Sequence, residues 1–195
     1  MPQPLTAVLA RAVSIRRAAQ FMLLAFAAIL TLAAPAAQAG PDDPSRFDGS
    51  PLGAQKAVYH FNYEKPEDLL QGLGYLQNHL RGLKEFGDLK HSHLVIVAHG
   101  NELHMLSRLN RGAYPDVYDK LKELTDQGVT IRICRNAAAA RGYKPGDFYD
   151  LATVVPAAMT DLAKWQAAGY AYISGDAIRR TTRQDFLAKH PEVID

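Results

Sequence analysis

The chain has 195 residues, with 22 Lys and Arg against 20 Asp and Glu, 48% apolar residues and one cysteine. That length predicts a single globular domain behind a short leader, and one cysteine excludes an internal disulfide. Without the leader arginines Arg11, Arg16 and Arg17, 19 basic residues face 20 acidic ones, a net charge of −1 with His neutral. No basic patch interleaved with aromatics remains, which argues against a nucleic-acid partner.

The basic residues at the start precede an apolar run from Ala18 to Ala34, and Ala37-Gln38-Ala39 follows as a small-x-small cleavage site. This pattern predicts a secretory signal peptide over residues 1–39 and a periplasmic mature protein. No later segment is apolar and long enough to span a membrane, so no membrane contact is expected once the signal is cleaved. Residues 40–54, rich in Pro, Asp, Gly and Ser, are expected to form a flexible arm. A folded domain over 55–174 and a tail over 175–195 with a short helix complete the predicted organisation.

Within the domain, Lys56 to Tyr63 alternates as a first strand, with Asn62 near its carboxyl end. Pro66-Glu67-Asp68 suits a helix first turn, and Leu69, Leu73, Leu76, Leu80 and Leu83 recur every three or four residues as an inward stripe. The run from His93 to His99 reads as a strand buried on both faces and ended by Gly100. A helical piece is expected from Asn101 or Glu102 through Leu109. A second follows Tyr114-Pro115-Asp116, with Val117, Leu121 and Leu124 on one face and Gly128 as its stop.

Val129-Thr-Ile-Arg-Ile-Cys134 is then a strand that runs into a helix, for which Asn136 is the expected N-cap and four alanines the body. After a turn over Tyr143–Asp147, a fourth strand over Thr153–Val155, a helix from Pro156 to Gly169 carrying Trp165, and a fifth strand over Tyr170–Ile173 are predicted. A tail helix is expected from about Thr182 to Lys189. Strands alternating with helices imply an α/β fold with a largely parallel sheet covered on both faces. In such sheets ligands sit at the carboxyl ends of the strands, where Asn62, His99, Gly100 and Cys134 fall together.

Two readings of Cys134 stand side by side. As a thiol just ahead of a helix N-terminus, with Arg132, Arg135 and Arg141 near in sequence, it is placed to react as a thiolate. As a small apolar residue at a buried strand end, it only packs. His99 is the candidate base or stabilising cation for the thiol. In an oxidising compartment a lone cysteine is free, paired with another molecule or modified. The histidines lack the spacing of a zinc motif, and no dinucleotide, phosphate-loop or nucleophile-elbow pattern occurs, so neither a metal nor a cofactor is expected.

Val95-Ile-Val-Ala-His99-Gly100, Gly128-Val-x-Ile-x-Ile-Cys134-x-Asn136, and Val154-Val-Pro156-Ala-x-Met159 running on to Trp165-Gln166-x-x-Gly169-Tyr170-Ala-Tyr172-Ile173 together resemble the DsrE/DsrF-like family. The likeness covers about Lys56 to Ile173. It implies a three-layer α/β/α fold around a mainly parallel five-stranded sheet, assembly into homotrimers or homohexamers, and involvement in sulfur relay. On that analogy Cys134 carries a persulfide as a sulfurtransferase-like carrier. His99 and Asn136 shape its pocket, with Asn62, Gly100 and Arg135 as further binding candidates. A donor or acceptor protein, or a small thiol, is the expected partner. The alternatives are an oligomeric ligand- or partner-binding protein with a structural cysteine, and a thiol redox sensor.

Overall fold

The computed structural model describes residues 40–178 and 180–193; the expected signal peptide, residues 1–39, lies outside them. The chain divides into a segment ending at Asp48 and a compact unit from Gly49 onward. In the described part of the first, Asp43 closes a small turn: its carboxylate accepts the Gly40 N–H at 2.6 Å and its own N–H donates to the Gly40 carbonyl at 3.2 Å.

The second unit is built on five strands, β1 (Lys56–Phe61), β2 (His93–Ala98), β3 (Thr130–Cys134), β4 (Ala152–Val155) and β5 (Ala171–Ser174). They lie in the order β4-β3-β2-β1-β5 and every pairing is parallel. Parallel neighbours need crossover connections, and helices supply them: α1 (Asp68–Phe86), α2 (Leu103–Leu106), α3 (Val117–Asp126), α4 (Arg135–Ala140) and α5 (Ala158–Ala167), with α6 (Arg183–Lys189) in the tail. The α/β architecture and the central five-stranded sheet are those expected from the sequence.

The two faces of the sheet are covered unequally. On one, the α1 stripe of Leu69, Leu73, Leu76, Leu80 and Leu83 is buried with Val117, Leu121 and Leu124 of α3 against Tyr59, Phe61, Ile96, Ile131 and Ile133. Each such side chain contributes about 2 kcal/mol by leaving water. The other face carries α5, whose Ala158 and Leu162 pack on Val58, Val95, Val97 and Cys134. There Arg132 makes a bidentate ion pair with Asp161, at 3.0 and 2.9 Å, and Trp165 Nε1 donates to the same carboxylate at 3.0 Å. Burial pushes the Asp161 carboxyl up, but the Arg132 and Trp165 hydrogen bonds outweigh it and hold the group below the usual carboxylate range.

Three local expectations shift. The piece from Asn101 to Leu109 breaks at Ser107, which is extended and bridges Phe148, so α2 is a single turn followed by a 3-10 turn over Arg108–Asn110. Asn136 is not an N-cap: α4 starts two residues earlier, and Cys134 is the cap, its sulfur accepting the Ala137 N–H at 3.4 Å. The fourth and fifth strands and α5 are each offset from their predicted starts by one or two residues.

Candidate functional site

The carboxyl ends of β1 and β2 are held together by a buried acid. Glu102 is 0% exposed; one carboxylate oxygen accepts the Gly100 N–H at 2.7 Å and the other the Tyr63 N–H at 3.0 Å. Burial raises its carboxyl above the ordinary value, with the backbone N–H groups pulling the other way. His99 N–H to the Phe61 carbonyl (3.1 Å) and Asn101 N–H to the Tyr63 carbonyl (2.8 Å) complete the seam. The backbones approach so closely that a side chain at Gly100 would meet the Tyr63 nitrogen at 2.3 Å.

The same rim is tied to α4 through Arg141. Its Nε donates to the Asn101 side-chain oxygen at 3.0 Å, and another guanidinium nitrogen donates to the Ala137 carbonyl at 3.0 Å. Asn101 in turn donates to the Glu64 carbonyl at 2.6 Å. Ala137 thus gives its N–H to Cys134 Sγ and its carbonyl to Arg141, joining the cysteine turn to the His99 loop.

On the α5 face, side chains from four adjacent strands form a row. Tyr172 of β5 bonds His60 Nδ1 of β1 at 2.6 Å, and His60 Nε2 meets His99 Nε2 at 2.5 Å. The imidazole planes are 12° apart with centroids at 4.8 Å. That separation is the nitrogen–nitrogen distance plus a ring radius at each end, so the rings meet edge to edge. Ala98 pairs with Ile133, and carrying the register on by one residue sets His99 opposite Cys134 on the face of Val97.

His99 and Cys134 therefore share a face and a level, but among the described residues no hydrogen bond joins them. The sulfur's partner is the Ala137 N–H, and the imidazole's partner is His60. Cys134 is 6% exposed. Asn62 is exposed beside a cleft of about 470 Å³, which His60, Glu64, Asp68, Tyr172 and Asp176 also line. Gly100 is buried in the seam, while Arg135 and Asn136 stand exposed on the first turn of α4, outside that cleft's lining. Glu102, Asn101 and Arg141 were not among the candidate site residues. A single acid two residues after a glycine is no motif, and its partner on the other strand end, Tyr63, is 39 residues away.

Among the described residues no group of three or more His, Cys, Asp or Glu is arranged to hold a metal ion, and no helix is long and apolar enough to cross a membrane. Burial lowers the imidazoles of His60, His79, His93 and His99 below their ordinary value of 6.5, so the folded state favours their neutral forms. Their contribution to stability is complete above pH 6.5 and is lost as the pH falls through the lowered values. Glu102, shifted upward, works the other way: its protonation gains stability as the pH falls through its raised value, and the gain is complete below 4.5, so one carboxyl opposes four imidazoles. The urea midpoint should therefore fall between pH 7.5 and 5.5; a midpoint that holds or rises would contradict this assignment.

A family model described as the DsrE/DsrF-like family matches residues 57–174. Among solved structures, the chain is similar to a protein of unknown function from Methanobacterium thermoautotrophicum. The identity is 23% and the TM-score 0.51, with 62% of this chain and 98% of that one covered, a likeness that bears on the fold alone. No curated protein matches the chain.

Proposed function

The chain belongs to the DsrE/DsrF-like family, and from this premise we propose that it is an exported sulfur carrier in which Cys134 accepts a sulfane sulfur as a persulfide. The observation that carries the reading is the position of Cys134. The sulfur caps α4 at the carboxyl rim of a parallel sheet, accepts an amide N–H, and shares a face with a histidine pair. A hydrogen bond to sulfur strengthens as the sulfur takes negative charge, which suits a nucleophile. The periplasm is the proposed location, a homotrimer or homohexamer the proposed assembly, and a protein or small thiol the proposed donor and acceptor.

In the uptake step the Cys134 sulfur attacks the outer sulfur of a donor R–S–SH. The donor's S–S bond breaks, a new S–S bond forms on the protein, and R–S⁻ leaves with its electron pair. The acceptor's thiolate then attacks the outer sulfur of the protein persulfide and restores Cys134. Sulfur moves between thiols without net oxidation.

A second reading, a ligand- or partner-binding protein with a structural cysteine, draws on the burial of Cys134 among Val58, Val95, Val97 and Leu162. Cyanide, which takes sulfane sulfur as thiocyanate, separates the two. Protein incubated with polysulfide and desalted should release about one thiocyanate per chain, and Cys134→Ser none. Equal release from both proteins would remove the carrier reading.

A further inference from the structure

We infer that Tyr172, His60 and His99 form a proton relay that takes the proton of Cys134 when the thiol reacts and returns one to the leaving thiolate. The inference rests on the sulfur-carrier reading for its reaction, but its geometry is independent of that reading. The row crosses β5, β1 and the end of β2 on one face, with contacts of 2.6 Å and 2.5 Å between consecutive members. Cys134 of β3 lies next along it in register, with no hydrogen bond to His99 among the described residues. The histidines meet nitrogen to nitrogen and edge to edge. An imidazole nitrogen pair can share one proton, so one ring donates and the other accepts. With His60 Nε2 donating, its Nδ1 accepts from the Tyr172 hydroxyl; with His99 Nε2 donating, His60 Nδ1 donates to the Tyr172 oxygen. Moving one proton along the row converts the first arrangement into the second.

His99 Nδ1 has no hydrogen-bond partner among the described residues, and His99 is set opposite Cys134 by the continued register. Tyr172, 46% exposed, opens the other end to solvent and to the 470 Å³ cleft. The charged groups around the row act in opposite directions. Asp176, after β5, favours a proton on His60, whereas Arg141 of the α4 turn disfavours one on His99. From α5, Asp161 is committed to Arg132, two residues before Cys134.

The balanced step is Cys–SH plus R–S–SH giving Cys–S–SH plus R–SH. The thiol proton passes to His99, the Nε2 proton of His99 to His60, and that of His60 Nδ1 to Tyr172, whose own proton goes to solvent. The reverse movement protonates R–S⁻. His60 strengthens His99 as a base by accepting its Nε2–H, and Tyr172 does the same for His60.

Because Cys134 is the only cysteine, iodoacetamide reports on it alone. The alkylation rate of the folded protein, measured from pH 6 to 10 for wild type, His60→Phe and Tyr172→Phe, tests the relay without any sulfur donor. Both variants should shift the inflection upward by about one pH unit, reacting about tenfold more slowly at pH 7 and converging with wild type in alkali, where hydroxide replaces the base. Tyr172→Phe deletes one hydroxyl from a half-exposed ring and decides the matter if His60→Phe does not fold. Superimposable profiles, a slowing uniform in pH, or a wild-type thiol inert throughout would each overturn the relay. A shifted profile in a protein that takes up no sulfur would instead remove the carrier reading and leave the relay standing.

Discussion

Glu102→Ala is expected to destabilise the domain by about 4 kcal/mol, the largest loss from any single side chain at the rim. Its carboxylate is the acceptor for two N–H groups, those of Gly100 and Tyr63, at a fully buried position. Alanine would strand both donors, at about 1–3 kcal/mol each, and leave a cavity besides. Glutamine restores one acceptor but turns its NH₂ toward the other donor, so Glu102→Gln should lose about 2 kcal/mol. Urea unfolding at pH 7 reads both. A loss under about 0.5 kcal/mol for the alanine variant, the size of an ordinary surface change, would show that the acid does not hold the two strand ends together.

Gly100→Ala is expected to lose about 3 kcal/mol through a different cause. The new methyl would lie 2.3 Å from the Tyr63 nitrogen, 2.7 Å from the Asn62 carbonyl carbon and 2.4 Å from a Glu102 oxygen. Two of these are backbone atoms of the neighbouring strand end, which cannot swing aside as a side chain can. The seam must open, moving His99 away from His60, and overpacking of this kind costs about 1–3 kcal/mol or more. The same unfolding measurement checks it, and wild-type stability would mean that the β1 and β2 ends are not in contact at this glycine. Glycine is required here for the close approach of two backbones.

Much of the fold is legible in the sequence because its signals are local and periodic. The five leucines of the predicted α1 stripe recur every three or four residues and all five are buried, while Leu70 beside them is exposed, and the unbroken apolar run of β2 matches a strand covered on both faces. The start of α4 was misplaced because β3 passes into it without a linking residue. Asn136 is the better intrinsic cap, but the chain has already turned at Cys134, leaving Asn136 exposed. Ser107 broke the expected Asn101–Leu109 helix by pairing with Phe148, 41 residues away, a contact that no local pattern announces. The strand-end rule did bring Asn62, His99, Gly100 and Cys134 to one rim. What it could not reveal was who bonds whom. His99 meets His60 across 39 residues and His60 meets Tyr172 across 112, partnerships fixed by strand order. Placing β5 beside β1 rather than beside β4 is what gives the row its outer member.

The central claim is that Cys134 accepts sulfur, and intact mass spectrometry of the mature protein after incubation with polysulfide or thiosulfate tests it most directly. Wild type should gain about 32 Da, one sulfur, in a form removed by a reducing thiol, and Cys134→Ser should gain nothing. No gain on wild type from either donor, with Cys134 also inert to alkylation in the folded protein, would contradict the account and leave the cysteine a packing residue of the α5 face.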